Sequence, residues 1–346
     1  MKKIALITGI GGQDGSYLVE LLLEKGYDIH GIIRRTSQFN RNRIEKTRDK
    51  ARKLGQKYEL HYGDLSDSAN LFRIIFKCRP TEIYNFASQS HVAISFEEPE
   101  YTTDINANGV LRLLEGIRHA DIDSRFYQAS TSELFGKVSK SPQDENTKFY
   151  PRSPYGVSKL YAYWIVKNYR ESYGIHSSNG ILFNHESPRR GENFVTRKIT
   201  YSLARIRFGI QDVLRLGNLD ARRDWGYAKD YVKAIWLILQ QEKADDYIIA
   251  TGKVHSVRDF INMAALIAGF EIEWHGKGIH EIGRDKKTGK VIVEIDPRYY
   301  RPSEVEVTCG DATKAREVLG WKPEVSFDKL VEIMMEKDLE LLSLSR

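Results

Sequence analysis

Tyr155 and Lys159 stand four residues apart in Tyr155-Gly156-Val157-Ser158-Lys159, a spacing that puts a phenol and an ammonium on one helix face, one turn from each other. A phenol ordinarily ionises near pH 10; a neighbouring cation stabilises the phenolate, so the pair can supply a base that works closer to neutrality. A surface pair on any helix has the same spacing, so the reading rests on what accompanies it. Thr131 and Glu133 do so, in Gln128-Ala129-Ser130-Thr131-Ser132-Glu133. The threonine can hydrogen-bond a substrate hydroxyl and the carboxylate can move a proton. Hydroxyl, phenol and ammonium can take the proton from an alcohol that a bound hydride acceptor oxidises, whereas the added carboxylate implies more than simple oxidation. The competing reading of Glu133 is a first-turn acid favoured by a helix dipole.

A second group is built of glycine. Gly9-Ile10-Gly11-Gly12-Gln13-Asp14-Gly15 follows the apolar run Lys2 to Thr8 and precedes Tyr17, Leu18, Leu21 and Leu22, spaced as on an amphipathic helix. In a strand-turn-helix junction, glycines let backbone amides and the helix N-terminus meet a pyrophosphate with no side chain in the way. The end of the next strand reads Gly31-Ile32-Ile33-Arg34-Arg35-Thr36-Ser37, with no acid for a ribose 2′-hydroxyl. Arginine there suits a 2′-phosphate, hence NADP rather than NAD, unless Arg34 and Arg35 are simply loop charges. After a third strand, Asp64 of Gly63-Asp64-Leu65 either accepts from an adenine amino group or holds a turn.

The elements that must position these groups alternate. Asp28 to Ile33, Tyr58 to Tyr62, Thr81 to Phe86 and Arg125 to Ala129 read as strands; Ser68 to Lys77, Thr103 to Ala120 and Ser153 to Tyr173 read as helices. That order predicts an α/β fold, a Rossmann-type doubly wound parallel sheet. From Phe183 to Gly191 the regularity loosens into a functional loop, where a smaller, mostly C-terminal α/β substrate domain begins. Val213 to Leu216, Lys229 to Gln240 and Tyr247 to Ala250 are expected to return to the first domain, and helices near Val257 to Ala268 and Leu330 to Leu342 to complete the second. The expected division is 1–182 with 211–252 for the dinucleotide, and 183–210 with 253–346 for the substrate.

At 346 residues and 41% hydrophobic content the chain can bury a sizeable core and a second lobe. No apolar run reaches the roughly 18 residues of a membrane span, so a cytoplasmic protein without a membrane partner is expected. The net charge of +6 is spread among 47 acidic residues without a nucleic-acid module, which argues against nucleic acid and leaves a solvated surface or a diphosphate pocket. Cys78 and Cys309 lie far apart, with no metal-type spacing to histidine or to each other, so neither a disulfide nor a metal site is expected.

With these motifs in place, the sequence closely resembles, along nearly its whole length, the GDP-mannose 4,6-dehydratase family of extended short-chain dehydrogenases. The resemblance is carried by Thr8 to Leu18, Arg34 to Ser37, Gln89 to Val92, Ser130 to Glu133, Tyr150 to Tyr155, Leu160 to Ile165, Gly180 to Arg190, Phe194 to Lys198, Gly217 to Gly226 and Tyr299 to Glu304. It implies that Tyr155 removes the C4 hydroxyl proton of GDP-mannose, Thr131 orients the C4 oxygen, Lys159 tunes Tyr155, and Glu133 moves protons in an elimination of water across C5 and C6. It also implies an NADP site of Gly9, Gly11, Gly12, Gln13, Asp14, Arg34, Asp64, Leu65, Phe86, Ala87, Ser88, Gln89, Ser90, Tyr101, Tyr155, Lys159, His185 and Arg190. The GDP-sugar would meet Ser88, Asn184, Lys198, Arg223, Arg301 and Glu304, the cations on the diphosphate and Glu304 on a ribose hydroxyl. The segment Arg34 to Arg43 resembles one that reaches a neighbouring subunit's cofactor, so a homotetramer, or else a dimer, is expected. One stretch departs from the family: Asn85-Phe86-Ala87-Ser88-Gln89 stands where most members are expected to read Leu-Gly-Ala-Gln after the asparagine.

Overall fold

A computed structural model describes residues 2–37, 41–299 and 307–344. In chain order the elements begin with β1 (Ile4–Thr8), α1 (Gln13–Glu24), β2 (Asp28–Ile33), α2 (Glu45–Lys53), β3 (Tyr58–Tyr62), α3 (Ser68–Cys78) and β4 (Glu82–Asn85). They continue with α4 (Ile94–Glu97), α5 (Pro99–Thr103), a π-helical stretch Asp104–Asn108, α6 (Gly109–Ala120), β5 (Arg125–Thr131), α7 (Pro154–Tyr173) and β6 (Ser177–Leu182). Next come β7 (Asn184–Glu186), α8 (Val195–Arg207), β8 (Leu214–Leu216), β9 (Arg222–Tyr227), α9 (Ala228–Gln240), β10 (Tyr247–Ile249), β11 (Val254–Ser256) and α10 (Val257–Ala268). The chain ends in β12 (Ile272–His275), β13 (Ile282–Asp285), β14 (Val291–Ile295), β15 (Val307–Thr308), α11 (Thr313–Leu319) and α12 (Phe327–Ser343).

Two compact units result: Met1–Phe183 with Ala228–Ile249 and Gly310–Lys322, and Asn184–Tyr227 with Ala250–Cys309 and Pro323–Arg346. The first holds a seven-stranded sheet in the order β10-β6-β5-β4-β1-β2-β3, every neighbouring pair parallel. Strands of such a sheet are covered on both faces, and β4 and β6 are buried at every residue although Glu82, Asn85, Ser177, Ser178 and Asn179 are polar. One core gathers Ile32, Ile83 and Phe126 from strands with Leu71, Ile75, Leu113, Leu114 and Val166 from α3, α6 and α7. Each fully buried Leu, Ile or Val contributes about 1.5–3 kcal/mol. Outside that cluster, α1 packs on α9. Strand order reverses between β1 and β4, and the crevice beyond the carboxyl ends at such a point is where ligands of these sheets bind.

The second unit has two smaller sheets, β11-β9-β15 with β7 also on β9, and β12-β13-β14-β8. Helices α8, α10 and α12 enclose its core of Ile199, Leu203, Trp225, Phe260, Ile261, Val293, Leu330 and Met334. β8 pairs with β14, so it does not return to the first sheet as its sequence suggested; an exposed arginine between two buried leucines reads equally well in either sheet. Residues 211–227 fall in the second unit and 310–322 in the first. Among the described residues, no helix is long and apolar enough to cross a membrane.

Candidate active site

Between β1 and α1 the backbone is pared to its minimum. Gly9 takes φ +65°, and a Cβ there would stand 2.8 Å from the Ala87 nitrogen, while one at Gly15 would stand 2.5 Å from the Gly9 oxygen. Gly12 closes the turn by donating from its backbone nitrogen to the Gly9 oxygen at 2.9 Å, and as N-cap of α1 it brings no side-chain acceptor to the first turn. Gln13 donates to Asp14 at 3.1 Å, so these two side chains meet in that first turn.

A polar chain then ties the ends of β1 and β4 to the middle of β5. Thr8 Oγ1 donates to Asn85 Oδ1, Asn85 Nδ2 to Gln128 Oε1 at 2.7 Å, and the Ala87 nitrogen back to Thr8 Oγ1 at 3.0 Å. The loop Phe86 to Ser90 is thereby held against the glycine turn. Phe86, at the point of departure from the family pattern, packs its ring 5.9 Å from that of Tyr127. Asn106 fixes the rest: its Oδ1 accepts from Ser88 Oγ and from the Gln89 nitrogen, both at 2.9 Å, and its Nδ2 donates to the Gln89 oxygen at 2.9 Å and to Ser158 Oγ at 3.2 Å. Sequence reasoning missed this residue, because a lone asparagine in a helical run belongs to no motif; it lies in the π-helical stretch, buried.

At the end of β2, Arg34 Nη1 donates to the Tyr101 hydroxyl at 2.9 Å, joining two of the expected cofactor residues on the surface. Asp64 instead accepts from both the nitrogen and the hydroxyl of Ser66, at 3.0 and 2.9 Å, the geometry of its turn-holding reading. Leu65 is buried, and a Cβ on Gly109 would touch it at 2.8 Å.

Thr131 closes β5 and its Oγ1 accepts from the Glu133 nitrogen at 3.2 Å, starting a single turn over Ser132–Leu134. That turn rests on the start of α7, where a Cβ on Gly156 would lie 3.0 Å from the Glu133 oxygen. Helix α7 begins where it does because Ser153 Oγ accepts from the Gly156 nitrogen at 3.0 Å and Pro154 supplies a preset first residue. Glu133 and Tyr155 are thus carried by two turns in contact. Lys159 is 3% exposed, with Nζ 5.9 Å from the centre of the Tyr155 ring and donating to the Ala129 oxygen at 3.0 Å. Burial brings its ammonium down to about 8.

His185, Arg190, Asn184, Lys198 and Arg223 belong to the second unit. There β7 lies on β9 with Asn184 opposite Trp225 and His185 opposite Gly226. Arg190 reaches Glu186 at 3.1 Å and lies 3.9 Å over the Phe194 ring; Lys198 Nζ sits 3.3 Å over Tyr299. Arg223 is buried in β9 and donates to the Arg222 oxygen at 2.9 Å. Arg301 and Glu304 lie outside the described residues, as do 38–40 of the segment expected at a subunit contact.

Residues 6–334 match the family model described as GDP-mannose 4,6 dehydratase. The chain is 57% identical over 344 residues to a GDP-mannose 4,6 dehydratase of Homo sapiens, covering 99% of this chain and 92% of that one. It is also 57% identical over 343 residues to a GDP-mannose 4,6-dehydratase of Sinorhizobium fredii, covering 99% and 98%. Among solved structures it is similar to a UDP-glucose 4-epimerase of Thermotoga maritima (TM-score 0.81, 25% identity, 98% and 99% covered). A dTDP-glucose 4,6-dehydratase of Streptomyces venezuelae shares the fold at TM-score 0.81 and 22% identity, with 99% and 98% covered.

Proposed function

We propose that this chain, which belongs to the GDP-mannose 4,6 dehydratase family and is a hydro-lyase converting GDP-D-mannose to GDP-4-dehydro-6-deoxy-D-mannose, works through Thr131, Glu133, Tyr155 and Lys159. The family uses a nicotinamide dinucleotide, and the glycine turn fits one: only glycine at Gly9 and Gly15 allows so tight a turn into α1, and Gly12 brings no side chain to the first-turn amides that can meet a diphosphate. NADP is the form used, because Arg34 and Arg35 end β2 and no carboxylate is there to meet a 2′-hydroxyl. The dinucleotide supplies a reversible hydride store.

Tyr155 removes the C4 hydroxyl proton, and Lys159, as a cation, stabilises the phenolate that does so. Thr131 hydrogen-bonds the C4 oxygen and keeps it in line with the phenol. Once C4 is a ketone the C5 proton is acidic; Glu133 takes it and delivers a proton to the departing C6 oxygen, so that water leaves. The proton taken from the C4 hydroxyl balances the one returned to C5. Asn184, Lys198 and Arg223, with Arg301 and Glu304, hold the GDP-sugar, the cations meeting its diphosphate. His185 and Arg190 serve the dinucleotide.

The enzyme acts in the cytoplasm as a homotetramer or a dimer. Val157, Tyr161 and Trp164, spaced along one face of α7 and 56%, 42% and 51% exposed, support self-association.

The observation that carries the catalytic reading is the contact between the turn bearing Glu133 and the turn bearing Tyr155. It is tested by incubating protein and NADP with GDP-mannose and identifying the product by mass and by NMR. Wild type should yield the 4-keto-6-deoxy sugar, and Glu133→Gln should lose about 10²–10⁴-fold in turnover. Folded, NADP-bound protein that leaves GDP-mannose untouched would overturn the substrate assignment.

A further inference from the structure

Three side chains from separate elements of the first unit converge on one another. His30 on β2, His61 on β3 and Cys78 in the last turn of α3 are all buried, and their ligand atoms lie within 4.8 Å of one another. His30 Nδ1 is 2.9 Å from His61 Nε2, and Cys78 Sγ is 3.2 Å from the first and 3.5 Å from the second. In the sheet register His30 stands opposite Glu59, and His61, two residues on, projects from the same face.

We propose that His30, His61 and Cys78 form a binding site for a borderline-soft divalent ion, zinc(II) first. Bonds of about 2.0–2.1 Å to nitrogen and about 2.3 Å to sulfur put tetrahedral ligand atoms roughly 3.4–3.6 Å apart. His30 and His61 now share a hydrogen bond between these nitrogens with their rings 10° from parallel; an ion replaces that bond, the nitrogens parting by about half an ångström and the rings turning toward it. Two imidazoles and one thiolate suit zinc and discriminate against magnesium and calcium, which take oxygen. The Cys78 thiol gives its proton to solvent as the Sγ–metal bond forms. With Nε2 of His61 bonded to the ion, its proton resides on Nδ1, 3.8 Å from the Glu59 carboxylate, which orients the ring and places negative charge beside the ion. A water fills the fourth position. The ion ties the edge strand β3 to β2 and to α3, and takes no part in the dehydration.

The test uses the full chain stripped of metal, with cobalt(II) as the spectroscopic probe and zinc(II) as competitor. One equivalent of cobalt should give the intense d–d bands of a tetrahedral ion with a thiolate-to-cobalt charge-transfer band, and zinc should abolish both. Cys78→Ala should lose the charge-transfer band while Cys309→Ala keeps it, and both should retain dehydratase activity, which shows that they fold. Zinc should raise the melting temperature of wild type and leave that of Cys78→Ala unmoved. If Cys78→Ala does not fold, His61→Gln takes its place, with loss of the same bands expected. A wild type without the charge-transfer band, or a band that survives in the folded variant, would overturn the proposal.

Discussion

In the first unit the buried ammonium of Lys159 donates to a neutral partner, the Ala129 carbonyl. In the second, the buried guanidinium of Arg197 meets the buried Asp338 carboxylate at 2.6 Å, and Thr200 donates to that carboxylate at 2.7 Å. Both are cations removed from water, yet one donates to a carbonyl beside a phenol and the other meets a carboxylate directly. A buried charge left to a carbonyl costs the fold stability, which the proposed role beside Tyr155 would account for; a buried charge matched by a carboxylate is costly chiefly when one partner is removed.

The largest effect that would break this contrast is at Lys159. Lys159→Met keeps most of the packing and removes the charge, so turnover should fall about 10²–10⁴-fold. Stability at pH 7 should rise, on the order of 1–3 kcal/mol, read from denaturant unfolding. The sign follows from the folded value of about 8 against 10.5 for a free lysine: between them the unfolded chain holds a proton that the folded chain has released. Wild-type stability therefore gains a rising component from about pH 8 upward, which the variant lacks, while wild-type kcat/KM falls as the ammonium deprotonates. A variant that loses both activity and stability would erase the distinction.

Asp338→Asn should do the opposite. It leaves Arg197 buried against a neutral amide and should cost about 3 kcal/mol or more in thermal or denaturant unfolding, with kcat of the folded protein unchanged. The smallest effect is expected at a third kind of cation, exposed Arg34. Arg34→Ala should raise the KM for NADP by about tenfold or more, leave the KM for NAD nearly alone, and spare both stability and kcat at saturation.

Where local pattern dictates structure, the sequence was sufficient. Asp28–Ile33, Tyr58–Tyr62 and Val257–Ala268 have the same bounds in sequence and structure, two short apolar and aromatic runs and one capped amphipathic helix. Helix α2 buries only Thr47 and Ala51, so no apolar stripe betrayed it. The β12–β14 meander was missed for the converse reason: its strands are four or five residues long and their burial is mixed, which leaves little alternation to count. The four residues proposed for catalysis could be singled out because each sits in a motif, and the structure brings the turn of Glu133 against that of Tyr155. Asn106 and the trio of His30, His61 and Cys78 were not, since their relations exist only after strands have been laid side by side.

Each unit is stitched from three separate stretches of chain, and that sets an order of events at birth. A nascent chain that has emerged through β6 exposes an unpaired parallel edge, which β10 covers only when residues 247–249 arrive. Helix α11 comes later still, with Trp321 donating to the Asp230 oxygen at 2.8 Å and Lys314 to the Asp246 oxygen at 2.9 Å. Neither unit can be completed from an N-terminal fragment ending before residue 310, and a chain that terminates before residue 247 leaves the β6 edge open to pairing with its neighbours.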